Sequence, residues 1–460
     1  MRRDGRAAPV MSRTLGASLI RRVLGVIAFV VFLLCARADR SDAQQALVLS
    51  GGGARGLAHV GVLFPLEQLG YDPDVVIGNS MGAVVGALYA AGYDPEEIRA
   101  RTLAIDWSRM FDPTPAVLGP DHALRMPMLT FGLELAQRSV SRGLFGEWRI
   151  NRALVQLLFD ANARAHGDFD RLARRYRAVA ADLKTGEKVV LDSGDLPRAV
   201  RASMAYPGFF APVQWGDRVL VDGGIVDNLP TIEARRLGMT HVIAVDVGRA
   251  PDEIRSRDAL AVAGRSLDLM QQNLHPDTIP PDVLVLPITD ELFIGPSFPD
   301  DPLPLIELGA EAARRDLPPP PTRRPAGVRR LPPAPTSFAA LRIEAADSAL
   351  ALFARKVFAA VAPGSYDPPA VLAAADRLYS TGLFEGIWPR VETVQETGGS
   401  TLVVRVDPRA WFSNAELAEL APSAGNDPRI FPDDDSNQPA TNLYFGLRAA
   451  ARTYRFDWIP

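Results

Sequence analysis

The sequence predicts an α/β protein, a mostly parallel sheet covered by helices, followed by a smaller β-α-α-β-β unit. Three observations carry this expectation. Apolar runs at Ala46-Leu47-Val48-Leu49-Ser50 and Asp74-Val75-Val76-Ile77 each end in a glycine-containing turn and lead into an apolar helix, the alternation that builds parallel sheets. Eight prolines between Pro318 and Pro335 break the chain where neither a helix nor an inner strand could hold. Beyond them the pattern becomes one strand, two helices and two alternating strands over about 70 residues, enough to fold alone.

The elements follow in chain order. Arginines from Arg2 to Arg22 precede an apolar run of fourteen residues, Val23 to Ala36, with small-residue cleavage patterns at Ala36-Arg37-Ala38 and Ser41-Asp42-Ala43. A membrane-spanning helix needs about 20 apolar residues, so residues 1–43 read as a secretory signal peptide, with an uncleaved anchor as the alternative. A helix is expected over Leu57 to Leu69, interrupted by Pro65, which removes a backbone donor and predicts a kink. Another is expected over Ala83 to Ala91, closed by Gly92. Strands are expected at residues 177–181, 188–191, 218–221, 241–246 and 283–286, with helices at 233–237 and 258–272. The short charge run from Arg171 to Arg177 reads as a solvated helix face. Residues 107–146 have no clean period, and two readings stay open: an apolar cover over a site, or a core-packed insertion. Residues 317–336 form the proline-rich linker and 337–409 the small unit. Residues 410–460, rich in Asn, Asp, Pro and Ser, are expected to lack fixed structure.

Composition narrows the partners. A formal charge of −4 over 460 residues offers no basic surface for nucleic acid. The single cysteine, Cys35, lies in the leader, so no disulfide framework is expected after cleavage. Leu34 before it is not the small residue that lipidation would want.

Three motifs carry chemistry. In Ser50-Gly51-Gly52-Gly53-Ala54-Arg55-Gly56, successive glycines between strand and helix let backbone N–H groups converge on a negative oxygen. The Gly51-x-Gly53-x-x-Gly56 spacing also fits a dinucleotide loop, but that fold wants an acidic residue at the end of the second strand, and Asp72 and Asp74 stand before it. In Gly78-Asn79-Ser80-Met81-Gly82, a sharp strand-to-helix turn can expose the Ser80 hydroxyl as a nucleophile; the plainer reading is a helix cap. Asp222-Gly223-Gly224 can supply a carboxylate base, or form an ordinary turn. Of the five histidines, at 59, 122, 166, 241 and 275, His241 heads a strand and His275 sits in a loop beside prolines, so neither has a convincing motif and a conventional serine–histidine triad is the weaker case. The rival to an enzyme is a scaffold whose hydrolase-like domain is inactive.

The set, together with Asp222-Gly223-Gly224-Ile225-Val226-Asp227-Asn228-Leu229-Pro230 and the stretch Arg201-Ala202-Ser203-Met204-Ala205-Tyr206-Pro207-Gly208-Phe209-Phe210, resembles the patatin-like phospholipase family, bacterial branch, over roughly residues 46–316. The resemblance implies a patatin-like sandwich around the central sheet and hydrolysis of lipid acyl esters with no metal or organic cofactor. It also implies a dyad of Ser80 as nucleophile and Asp222 as base, and an oxyanion hole from Gly51, Gly52 and Gly53 with Arg55 nearby. Gly56, Gly78, Gly82, Gly223 and Gly224 complete the motifs. Residues 337–409 resemble a polypeptide-transport-associated (POTRA) domain, notably at Asp376-Arg377-Leu378-Tyr379-Ser380-Thr381-Gly382-Leu383-Phe384. In relatives of that arrangement a membrane β-barrel follows, which needs about 8 strands of roughly 10 residues, more than the chain after Ala410 supplies. The partners so implied are a phospholipid or other lipid ester, a membrane surface and an envelope protein, with export to the periplasm or outer membrane.

Overall fold

The computed structural model describes residues 44–107, 110, 146–248, 280–287, 298–299, 301–320, 330–346, 348–393 and 400–408. The expected leader, most of the aperiodic stretch at 107–146, the expected helix at 258–272, the middle of the linker and the C-terminal tail lie outside them. Among the described residues no helix is long and apolar enough to cross a membrane.

The α/β expectation holds. Strands β1 (Gln45–Leu49), β2 (Val75–Asn79), β3 (Arg175–Asp182), β7 (His241–Val245) and β8 (Val283–Val285) form a parallel platform in the order β3-β2-β1-β7-β8. Strands β4 (Lys188–Leu191), β5 (Val213–Trp215) and β6 (Arg218–Asp222) complete it with antiparallel pairings beside β3. Both faces are buried, as a parallel sheet requires. Leu47 and Leu49 of β1 enter the larger core, while Ala46 and Val48 point into a second one with Val75, Ile77, Val179 and Ala244. That two-sided burial is why β1 and β2 read as continuous apolar runs.

The helices are α1 (Ala58–Leu69), α2 (Met81–Ala90), α3 (Pro95–Leu103), α4 (Trp148–Ala165), α5 (Leu196–Ser203), α6 (Thr231–Arg236) and α7 (Leu303–Asp316). Helix α1 runs through Pro65 as one helix and ends at Gly70, whose left-handed φ of 91° turns the chain into β2. It packs on α7 through glycines on both sides. A Cβ at Gly61 would lie 1.7 Å from the Ile306 carbonyl oxygen, and one at Gly309 would lie 1.9 Å from that of Ala58. The charge run expected on a helix face instead leads into a strand. Arg175 and Arg177 belong to β3, and the buried Arg177 donates to Asp170 Oδ1 at 2.7 Å. Strand propensity from Tyr176 onward outweighs the few charges that begin it.

The second sheet holds β9 (Ser337–Ala345), β10 (Gly364–Ser365), β11 (Phe384–Thr393) and β12 (Ser400–Pro408) in the order β10-β9-β12-β11, with helices α8 (Ser348–Phe358) and α9 (Pro368–Ser380). Its core is not self-contained. Trp148, Val155, Phe159 and Ala163 of α4 pack into it beside Phe353, Leu378 and Phe384. Arg152 adds a bidentate pair to Asp376 at 2.7 and 2.8 Å. The amphipathic α4 thus gives one face to each sheet.

Candidate active site

Register brings the serine and the aspartate together. Asn79, the last residue of β2, is level with Val179, and Asp222, the last of β6, is level with Ala180. Their strands flank β3, so their backbones are about 10 Å apart, two strand spacings, near enough for the Ser80 hydroxyl to act on the Asp222 carboxyl.

Ser80 occupies the turn between β2 and α2 at φ 53° and ψ −122°, a conformation that costs a side-chain-bearing residue about 1–3 kcal/mol. Close packing enforces it. A Cβ at Gly78 would lie 2.4 Å from the Gly82 carbonyl oxygen, and one at Gly82 would lie 2.4 Å from that of Leu49. The Ser80 side chain makes no capping bond to α2, so the hydroxyl is not spent on the helix. The Ser80 N–H donates to Ser203 Oγ at 3.0 Å, and Ser203 Oγ donates to the Val179 carbonyl at 2.5 Å. The Ser80 backbone is therefore tied through α5 to β3. The positive end of α2 faces the same point and favours charge developing there.

Asp222 is 2% exposed. Its Oδ1 accepts from the Gly224 N–H at 2.8 Å, while Oδ2 has no hydrogen-bond partner among the described residues. Burial pushes this carboxyl up to about 6; the Ser80 hydroxyl, the Gly224 N–H, the Asn79 amide and the Arg201 charge all pull the other way. A carboxyl near 6 beside a hydroxyl has the profile of a general base at neutral pH. Gly223 and Gly224 are glycines for space: a Cβ at Gly223 would lie 2.5 Å from the Val179 carbonyl oxygen, and one at Gly224 would lie 3.1 Å from Asp222 Oδ1.

The glycine loop differs from its expected role at one position. The Gly51 N–H donates to the Asn228 carbonyl at 3.3 Å, so it is already satisfied and does not face an incoming oxyanion. Gly51 instead gives room: a Cβ there would lie 2.6 Å from Asn228 Oδ1 and 3.1 Å from Ser80 Cβ. Gly52 and Gly53 remain as the candidate donors, with Gly53 exposed at a left-handed φ of 55°. Arg55 donates from both its backbone N–H and its Nε to the Gly52 carbonyl, at 3.2 and 3.3 Å, which fixes the loop's shape. Gly56 leaves space for Met81, whose Cβ would be 2.4 Å from an added methyl.

Asn228 and Asn79 had no separate role in the sequence reading, yet they join the three motifs. Asn79 Nδ2 donates to Asn228 Oδ1 at 3.0 Å, and Asn228 Nδ2 donates to the Gly51 carbonyl at 3.3 Å. The signal was present in Gly-Asn-Ser and in Asp-x-x-x-x-Asp-Asn, but a lone asparagine after a turn has too many ordinary explanations. His59 is buried with Nε2 donating to the Ser50 carbonyl at 2.9 Å, and burial lowers it to about 4, so it stays neutral and braces β1. His241 stacks on Tyr71, and His166 ends α4. His122 and His275 lie outside the described residues.

Residues 47–235 match the patatin-like phospholipase family. Lysophospholipase NTE1 of Debaryomyces hansenii is 33% identical over 217 residues, 46% of this chain and 12% of that protein. Patatin-like phospholipase domain-containing protein 6 of Homo sapiens is 34% identical over 205 residues, 44% of this chain and 13% of that protein. The chain thus spans about one eighth of the length of these relatives, both eukaryotic where the motifs suggested the bacterial branch. VipD from Legionella pneumophila superposes with a TM-score of 0.35 at 16% identity, over 59% of this chain and 66% of VipD.

Proposed function

We propose that this protein is a serine lipid acyl hydrolase of phospholipase A type, working through Ser80, Asp222 and an acyl-enzyme. The observation that carries the reading is a hydroxyl on a strained turn, unspent on its helix, beside a buried carboxyl raised to about 6. Asp222 takes the Ser80 proton as Oγ attacks the ester carbonyl, and the oxyanion forms against the Gly52 and Gly53 N–H groups. Each such donor typically contributes about 3–4 kcal/mol to the transition state. The carbonyl re-forms, the C–O bond to the alcohol breaks, and the proton held on Asp222 goes to that oxygen. Water then attacks the acyl-Ser80 ester, giving its proton to Asp222, and Ser80 leaves as the alcohol with the fatty acid released.

The relatives' names motivate a phospholipid or lysophospholipid substrate met at a membrane surface. The arginine-rich apolar N-terminus motivates export, to a periplasm or outer membrane. The POTRA-like pattern at 337–409 motivates an envelope partner. Expression with an epitope tag and cell fractionation tests the location; a wholly cytoplasmic, uncleaved chain contradicts it.

The activity is tested with lysophosphatidylcholine micelles and a fluorophosphonate probe. The unaltered protein is expected to release fatty acid and to be labelled at Ser80, while Ser80→Ala loses both with its circular dichroism unchanged. Fatty-acid release persisting in Ser80→Ala would overturn the assignment.

A further inference from the structure

We propose that Arg201 is a positioning residue for Asp222, held in place by Glu147 and, through the Glu147 backbone, by Glu385 of the second sheet, so that the C-terminal unit takes part in assembling the catalytic centre. The inference deepens the hydrolase reading and rests on it for its kinetic arm.

The connection is built from hydrogen bonds. The loop Met204–Ala211 follows α5 and runs beside Asp222, whose N–H donates to the Ala205 carbonyl at 3.0 Å. The far end of that loop is clamped on both of its backbone groups. The Ala211 N–H donates to Glu147 Oε1 at 2.5 Å, and Arg201 Nη2 donates to the Ala211 carbonyl at 3.3 Å. The same Nη2 pairs with Glu147 Oε1 at 2.7 Å, and the guanidinium lies over the Phe210 ring at 5.0 Å. Arg201 stands two residues before Ser203, which holds the Ser80 N–H. One short helix therefore carries the support for both proposed catalytic residues.

Glu147 is in turn seated on the second sheet. Its N–H donates to the Glu385 carboxylate of β11, and Asn151, one turn along α4, donates to the Glu385 carbonyl at 2.8 Å. From Glu385 to Asp222 every link is a hydrogen bond, an ion pair or a neighbouring backbone position. Stability does not explain the arrangement. Arg201 is 1% exposed, and its Nε and Nη1 have no hydrogen-bond partner among the described residues. A buried charge with unmet donors is commonly matched or bettered in stability by an apolar residue of similar volume. What the apolar residue would not supply is a fixed positive charge whose field reaches the aspartate, together with the clamp on the loop that hydrogen-bonds its backbone. On Asp222 itself, α5 brings the Arg201 charge, the turn after β2 the Ser80 hydroxyl and the Asn79 amide, and the turn after β6 the Gly224 N–H.

The test is a double-mutant cycle on the full chain with Arg201→Met, Glu385→Gln and both together. Each single change is expected to lower kcat on lysophosphatidylcholine micelles about tenfold with KM within about twofold, and the double to be no slower than Arg201→Met alone. A wild-type kcat in Glu385→Gln, or losses that multiply, overturns the proposal. Should Arg201→Met fail to fold, Glu147→Gln takes its place in the cycle. A second arm needs no turnover: the 13C-carboxyl titration of Asp222, assigned with Asp222→Asn, is expected to move upward in both single variants. An unmoved titration in Glu385→Gln sinks the coupling even in an active enzyme. A shifted titration in a protein that neither turns over nor labels at Ser80 supports the coupling and refutes the hydrolase.

Discussion

Burial raises the Asp222 carboxyl to about 6 from an ordinary 3.8, and that shift acts on activity and on stability with opposite signs. For activity, the base must be ionised, so kcat/KM is expected to climb about tenfold per pH unit up to pH 6 and level off above it. For stability, the folded protein holds this proton where the unfolded chain has released it. The contribution is fully present below the unfolded value and is lost as pH rises from about 4 through about 6. At neutral pH the ionised Asp222 therefore costs the fold up to about 3 kcal/mol. Asp222→Asn is expected to raise Tm at pH 7.5 while abolishing turnover, and calorimetry beside an activity assay checks both. A lowered Tm would mean that the carboxylate is stabilised more than its burial implies. At this scale Ser80 and Asp222 were legible because glycine spacing betrays a crowded turn. Asn228 and Arg201 were not, because their roles depend on which distant atoms they meet.

Elements place these residues by close approach. The turn from β2 into α2 works because Gly82 lets the helix start against β1, with a Cβ there 2.4 and 2.5 Å from the Leu49 and Ser50 carbonyl oxygens. Gly82→Ala is expected to lift the α2 N-terminus, cost about 1–3 kcal/mol and lower kcat together with Tm. Thermal unfolding and kinetics on one preparation decide it; a stable variant with lost activity would instead mean direct substrate contact at residue 82. The buried strands β1 and β2 were readable as apolar runs, and so were the helices that follow them. Helix α4 was not identified, because its apolar positions serve two different cores and match no single partner. The charged start of β3 was misread because local charge says nothing about a strand's neighbours.

Across the whole molecule, the β-α-α-β-β unit was expected to fold alone, yet its core includes an α4 face from a segment nearly 200 residues earlier in the chain. A chain ending at Leu317 would leave Trp148, Val155, Phe159 and Ala163 facing water. It is expected to aggregate or to unfold well below the Tm of the full chain. Phe159→Ala is expected to cost about 3–5 kcal/mol and to lower a single shared transition. Two separate transitions, with only one of them moved, would show that the sheets unfold independently.

The amino-acid sequence alone determined the α/β class and singled out Ser80, Asp222 and the glycine loop as candidates, because each is written in local periodicity or in the space that a turn demands. Tertiary structure alone decided that Gly51 spends its N–H on Asn228, that His59 braces a strand, and that Glu147 links Arg201 to Glu385 of the second sheet. Those outcomes depend on strand register and on contacts between residues far apart in the chain, and neither is encoded in any short stretch of sequence.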